Sequence, residues 1–509
     1  MARKDRWLHS TMLVTLVIIL SKAVGFGRDM VTTAYFGRTM ENDAYVSAYS
    51  LFYLPVLLFN SCISATLIPL FVEERERFSL KHSNRFASNS INLFSLAALV
   101  VSALMYILAG PLVNLVYHGF SPEKAALTAR LTQIMVLALV FNVASIAVSS
   151  LLNAMEKYIA AQLTGFPLSV CVILASVCFS DRCGIEAVAW GVFAANVLQL
   201  LVLIPFLRGW FTYTPMLNAG DERFRKLMRL ALPAMLSMGV SELNHMIDHA
   251  LASGLPEGTL TSMTSAYRLI TFVQGILLVP LTTVMFSKMS RRVAEDDVRG
   301  ALKLLRRSVL VIAMVVLPVV AVGAVLSSDV IQFAYMRGKF TMDDVRVTAG
   351  VLMFYIIGIP AFGLRDFFSR VFHSLKDTKT PFRVSCMVVA INVVLNVILR
   401  KFMGANGLAF ATSIAGYCGM TAMVLLLKKR FGRIGTRRMT RELCKIVAAT
   451  AVCTAVCVAL NRAVPPAEGT LKVTLRLVAC GGASIVAYLA CAWALGLNTL
   501  KKLVGGRRR

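Results

Sequence analysis

Apolar runs long enough to cross a bilayer recur along the whole chain, and this feature constrains its fold more than any other. A hydrocarbon core about 30 Å thick takes about 20 residues of helix, and the runs have that length. Candidate spans lie near residues 11–36, 43–72, 90–117, 124–154, 159–180, 184–207, 227–253, 259–287, 308–335, 345–374, 382–399, 405–427, 443–461 and 473–497, fourteen in all. Hydrophobic residues make up 57% and charged residues 16%, against roughly 45–50% apolar usage in soluble domains. A soluble globule is excluded. The first run, Thr11 to Leu20, follows Arg3, Lys4 and Arg6 like the apolar middle of a signal peptide. Lys22 and Arg28 come after it instead of a small-residue cleavage site, so it reads as the first helix of an all-α polytopic membrane protein.

A net charge of +27 would suggest nucleic acid in a soluble protein. Its placement excludes that partner here. About 36 of the 53 lysines and arginines fall in alternate connections, an asymmetry that puts those connections in the cytoplasm. They are the N-terminus, 73–88, Glu156-Lys157, 208–229, 288–307, 376–383, 428–445 and the tail ending Arg507-Arg508-Arg509. Each follows an even-numbered span or is a terminus, so both ends are expected in the cytoplasm. Anionic phospholipid headgroups are the expected partner of these charges, at about 1 kcal/mol per basic residue near the surface. The opposite connections carry turn chemistry instead, as at Gly37, Pro256-Glu257-Gly258 and Gly404-Ala405-Asn406-Gly407. The eleven cysteines mostly sit inside apolar runs without zinc-ligand spacing, so they read as small buried hydrophobes.

Slid by 218 residues, the chain matches itself weakly but in register. Val46-Ser47-Ala48-Tyr49-Ser50-Leu51 meets Thr264-Ser265-Ala266-Tyr267-Arg268-Leu269, and Tyr117-His118-Gly119-Phe120 meets Met336-Arg337-Gly338-Lys339-Phe340. An offset of six helices keeps orientation, so the expected architecture is two parallel six-helix lobes around a central cavity, as in transporters. The implied division is 1–215, 216–430, and 431–509 for a C-terminal helix pair with its basic tail.

Several stretches resemble the MurJ (MviN) family of lipid II flippases, within the multidrug/oligosaccharidyl-lipid/polysaccharide exporter superfamily. They are Ser21 to Asp29 (SKAVGFGRD), Asn42-Asp43-Ala44, Ile247 to Ser253 (IDHALAS), Arg337 to Thr341 (RGKFT) and Phe372 to Pro381 (FHSLKDTKTP) with Asn392 to Asn396 (NVVLN) after it. The resemblance implies fourteen helices in two six-helix lobes and an extra pair, and a lipid-linked peptidoglycan precursor as substrate. It further implies a groove for the lipid tail along Val447 to Leu460 and Val478 to Leu495, and cell-wall synthesis proteins as partners. Where the family commonly has a lysine, this chain has Ser50, and Tyr53 to Phe59 carries no basic pair.

An ionisable side chain at the centre of a membrane helix costs at least about 2.5–3.5 kcal/mol and needs a partner or a wet cavity. Lys22, Arg28 and Asp29 in the first span, with Asp43 and Arg268, are such groups. Lys22 and Arg28 are six apart, so they share a cavity only if the helix bends, and Gly25 and Gly27 lie between them to allow it. The functional reading has Lys22, Arg28 and Arg268 gripping the diphosphate and acidic peptide, since guanidinium pairs with phosphate in two places. The plainer reading pairs Arg28 with Asp29 or Asp43. A second cluster, Asp248 with Asn392, Asn396 and Thr412, offers hard oxygen ligands for sodium, or a proton on Asp248; the plainer reading there is interhelical hydrogen bonding. His245 and His249 around Asp248 resemble an inverted zinc-protease pattern, but Asp replaces Glu and no third ligand is evident. No resident cofactor or metal is expected.

No phosphate-binding glycine loop occurs, so a sodium or proton gradient or the membrane potential is the expected energy source. The leading reading is a non-enzymatic flippase of a bacterial inner membrane, working by alternating access. The alternatives are export of another lipid-linked glycan or an amphipathic drug, and, from another class, a membrane-bound glycosyl or phosphoryl transferase.

Overall fold

The computed structural model describes the backbone of residues 2–432, 435–465 and 469–497, and their side chains except at 2–12, 232–234, 236–238, 240 and 241. The side chains of Arg3, Lys4 and Arg6 and the tail Arg507 to Arg509 lie outside the described residues. Every extended regular element among those residues is helical.

The chain divides into two compact units. The first, residues 1–261 with Arg337–Phe340, contains α1 (Ala2–Phe36), α2 (Met40–Arg77), α3 (Leu80–Ile107), α4 (Ala109–Val116), α5 (Pro122–Val136), α6 (Leu139–Ala154), α7 (Tyr158–Gln162), α8 (Gly165–Cys183), α9 (Glu186–Leu203) and α10 (Glu222–Ala252). The second, Ser262–Met336 with Thr341–Arg509, holds most of α11 (Thr259–Ala294), then α12 (Val298–Val325), α13 (Ser327–Tyr335), α14 (Met342–Ile357), α15 (Ile359–Ser374), α16 (Lys379–Phe431), α17 (Arg437–Ala463) and α18 (Thr470–Ala494). The two compact units meet in sequence at Thr261, and the helix α10 packs on α2 within the first unit.

Among the described residues ten helical stretches are long and apolar enough to cross a membrane, and eleven when α5 and α6, bent by 43°, count as one span. The helices α1 and α10 are not among them, and α16 counts once. Its 53 residues would extend about 80 Å as one helix, more than twice a bilayer core. It breaks at Gly404, with φ 55° and ψ −129°, a conformation glycine adopts without penalty. A Cβ on Gly407 would fall 2.3 Å from the Leu399 carbonyl oxygen, so the two arms meet in a tight bend at the expected turn.

Local chemistry starts these helices where their connections end. The Thr39 hydroxyl caps α2 by accepting from the Asn42 amide, Ser121 caps α5 ahead of Pro122, and Thr341 and Asp344 form a reciprocal capping box on α14. Two internal contacts recur at the offset of the sequence match. Tyr117 donates to the Ser47 carbonyl at 3.2 Å and Tyr335 to the Ser265 carbonyl at 3.2 Å, all four residues buried. Two helix ends also match: Lys157 N–H reaches Leu152 O at 2.8 Å through Glu156 at φ 61°, and Asp377 N–H reaches Phe372 O at 3.0 Å through Lys376 at φ 59°. Both are left-handed terminations of the kind that satisfies a helix's last carbonyls.

Candidate functional site

At one end of the first unit, three connections close on a single buried carboxylate. Asp43 lies in the first turn of α2, beyond the Thr39 cap, and is 1% exposed. Its Oδ1 accepts from the Thr261 amide at 2.8 Å and the Thr261 hydroxyl at 2.7 Å; its Oδ2 accepts from Lys124 Nζ at 2.8 Å and the Gly258 amide at 2.8 Å. An ionised carboxylate has about four acceptor sites, and all are filled. Around this clasp Arg38 donates to the Gly258 carbonyl at 3.0 Å, Gly119 N–H to Ser253 Oγ at 3.2 Å, and Lys339 N–H to the Ala34 carbonyl at 2.8 Å. The approach demands glycine: a Cβ on Gly338, at φ 57°, would sit 2.2 Å from the Ala34 oxygen. Burying both ions costs several kcal/mol each, repaid only by such complete hydrogen bonding. Asp43 therefore pairs with Lys124, not Arg28, and has no acceptor site left for a headgroup. The sequence reading missed Lys124; the signal available was that a buried acid requires a cation.

Arg28 pairs with its neighbour, donating to Asp29 Oδ1 from two nitrogens at 2.8 and 3.0 Å. The pair is only partly buried, at 15% and 11% side-chain exposure, so guanidinium edges remain open to a ligand. The helix α1 runs without a break through Gly25 and Gly27. A Cβ on Gly25 would meet Ser169 of α8 at an ordinary contact distance of 3.8 Å. Lys22 is exposed and Arg28 half-buried. Arg28 acts electrostatically on Tyr45 and Tyr49, which form with Tyr53 a ladder of rings along α2 with centroids 6.1 and 6.0 Å apart. Glu242 of α10 acts on Tyr49 and Tyr53 from the same unit. Neither the ladder nor Glu242 was singled out in the sequence.

In the second unit Arg268 is half-buried on α11 and acts on Tyr335. Asn396 Nδ2 donates to Asn392 Oδ1 at 2.9 Å, Asn392 Nδ2 to Thr412 Oγ1 at 3.3 Å, and Thr412 to the Leu408 carbonyl at 3.0 Å. The two asparagines and the threonine are thus joined as their spacing predicts, while Asp248, 2% exposed, belongs to the first unit. The donor set is hard oxygen, suited to sodium rather than a soft metal. The helix α17 packs on α18 and α12, and a cavity of about 520 Å³ lies among Leu305, Leu364, Phe368, Met420, Met439 and Leu443, with Lys428 on its wall.

Outside the spans, the connection between α15 and α16 is organised by Asp377. Its carboxyl accepts from the Thr380 amide at 3.0 Å, the Thr380 hydroxyl at 2.8 Å and Arg430 at 3.3 Å. The Thr380 amide first, then its hydroxyl and Arg430, hold Asp377 below the usual carboxylate range. Burial pushes Asp221 up, but hydrogen bonds from the Arg223 guanidinium and amide outweigh it and hold the carboxyl low. Arg223 also reaches Glu74 at 3.2 Å, tying the start of α10 to the end of α2.

The family model for the lipid II flippase MurJ matches residues 32–478. A relative named as a MurJ flippase from Rickettsia prowazekii is 27% identical over 416 residues, 80% of this chain and 81% of the relative. Another from Thermotoga maritima is 28% identical over 428 residues, 84% and 86% of the two chains. A solved structure of MurJ in an inward closed conformation superposes with a TM-score of 0.79 at 24% identity, over 94% of this chain and 98% of that one. An inward-facing multidrug transporter of the MATE family follows at 0.70 and 13% identity, over 83% and 98%. At these identities the two solved structures speak for the fold.

Proposed function

The chain belongs to the MurJ family of lipid II flippases, a transporter and not an enzyme, and on that premise we propose how its residues carry lipid II across the bacterial inner membrane. The family match over 32–478 carries the assignment; the charges supply the mechanism. Arg28, with edges left open by Asp29, and Arg268 bind the anionic diphosphate and peptide, while the apolar tail stays against α17 and α18 and the cavity beside Met439. Arg28 and Arg268 are placed by the repeat on two lobes of six helices each. The fourteen crossings follow when α1 and α10 are counted and α16 is taken as two arms. Both termini then face the cytoplasm and its anionic phospholipids.

In this orientation the Asp43–Lys124 clasp lies at the outer side, where it holds the exit shut while the headgroup enters from the cytoplasm. Opening requires the Thr261 and Gly258 donors to leave Asp43 together. Asp248 and the Asn392–Asn396–Thr412 cluster are the candidate sites for the coupling ion, sodium or a proton. The membrane potential, about 2.3 kcal/mol per charge per 100 mV, can drive the return of a charged carrier. Cell-wall synthesis proteins that consume the product are the expected partners.

The test is to express the chain in cells depleted of their own lipid II flippase and label the precursor accessible at the outer surface. Restored labelling and growth are expected. Restored membrane accumulation of the protein without outer lipid II would overturn the reading and favour another lipid-linked glycan.

A further inference from the structure

Glu242 is an intramembrane carboxyl that the mechanism above does not use. It lies on α10 about 15 Å along the helix from its outer end, is half-buried, and makes no hydrogen bond or ion pair among the described residues. The helix α10 packs on α2: a Cβ on Gly239 would meet Leu58 at 3.5 Å and Met246 packs on the cluster of Leu51 and Tyr117, so Glu242, between them on the same helix face, is turned toward α2. Tyr49 and Tyr53 of α2 lie within its electrostatic reach. On its own helix His245, Asp248 and His249 follow at three, six and seven residues, and among the described residues no charged group of α3 or α2 acts on it. Arg28 bears on Tyr49 as well and is engaged by Asp29.

A carboxylate at this depth costs at least about 2.5–3.5 kcal/mol without a partner. It escapes that cost by holding a proton. We propose that Glu242 is a proton-binding site, linked through the Tyr49 surface to occupancy of Arg28 by an anion. The linkage has a definite sign, and this part rests on the flippase reading. An anion at Arg28 repels a second negative charge, so loading retains or takes up the proton, and departure of the anion frees it. A loaded carrier then crosses with one charge fewer. The proposal differs from the cation site at Asp248 in residue and in ligand, since a single carboxyl among aromatic rings offers no ligand shell for sodium.

Dicyclohexylcarbodiimide tests it on the purified full chain. The reagent takes the acid proton onto its nitrogen while the carboxylate oxygen adds to its central carbon, and the adduct rearranges to a stable N-acylurea found by peptide mass spectrometry. Labelling of Glu242 at neutral pH is expected, falling about tenfold per pH unit above its midpoint, with Glu242→Gln losing that adduct alone. No label at Glu242 at neutral pH, or labelling independent of pH, overturns the proton site. Repeating the titration with undecaprenyl diphosphate should move the midpoint to higher pH in wild type but not in Arg28→Ala. An unmoved midpoint overturns the linkage, and binding measured separately by lipid pull-down shows whether the flippase reading has failed with it.

Discussion

Tyr117 and Tyr335 stand 218 residues apart, make the same buried contact and do different work beyond it. Each hydroxyl donates to a buried serine carbonyl, Ser47 or Ser265, at 3.2 Å. Three residues past that carbonyl the halves part. Tyr117 meets the hydroxyl of Ser50, whereas Tyr335 lies within reach of the charge of Arg268. At an offset of 219, Arg28-Asp29 of α1 stands against Ile247-Asp248 of α10, so the acid recurs without an arginine before it. The same buried contact recurs at this offset while the charges differ, as expected if packing is structural and charge is functional.

The comparison breaks first at its cations. Arg268→Ser, which makes the second half like the first, should abolish complementation of a flippase-depleted strain while the protein still accumulates. The expected loss is roughly 2–5 kcal/mol of headgroup binding. Adding Ser50→Arg to that variant restores the number of charges but not their place, and growth should stay absent. Recovery in the double variant would show that either half can host the cation.

Next in size is the clasp, which has an ion pair in the first unit alone. Asp43→Ala leaves Lys124 buried against Phe120 without its anion, so unfolding in detergent should come about 3–5 kcal/mol easier. Removing both charges with Asp43→Asn and Lys124→Met should cost much less than Asp43→Ala. Equal destabilisation by the single and double changes would mean the amide bonds of Gly258 and Thr261, rather than the ion pair, hold the loops.

The tyrosines give a finer test of equivalence. Tyr117→Phe and Tyr335→Phe each delete one buried hydroxyl bond worth about 1 kcal/mol. The two melting shifts should agree closely if the shared frame is purely structural. A much larger loss of transport than of stability in Tyr335→Phe alone would assign that hydroxyl to positioning Arg268.

These contrasts also mark what the sequence made legible. Helical spans, the turn at Gly404 and the joined Asn392, Asn396 and Thr412 follow from hydropathy and periodicity, which are local. Arg28 and Arg268 stood out because an ionisable group in an apolar run is conspicuous on its own. Lys124 did not, since it opens an ordinary polar helix start after Ser121-Pro122, and only the fold brings it 81 residues back to Asp43. Glu242 was hidden by the richer Asp248 motif six residues on. Gly25 and Gly27 were legible only as local freedom, and α1 stays one continuous helix through them.

The smallest effect lies where the matching helix ends diverge. After the same left-handed turn the first half places Lys157, whose ammonium donates to the Phe206 carbonyl at 2.9 Å and lies 5.3 Å from the Trp210 ring. The second half places Asp377, which accepts from Thr380 and Arg430. Because its folded carboxyl is held low, Asp377 contributes stability that is complete above the ordinary carboxylate value of about 3.9 and is lost as pH falls through the lower folded value. Near the surface that contribution stays below about 1 kcal/mol. Asp377→Asn should therefore lower the melting temperature slightly at neutral pH and lose its difference from wild type in acid, once the pH has fallen through the folded value. Lys157→Met, which removes a cation and no low-lying carboxyl, should shift stability by the same amount at both pH values. A pH-independent effect for Asp377→Asn would reduce the acid to a neutral helix cap and make the two turns equivalent after all.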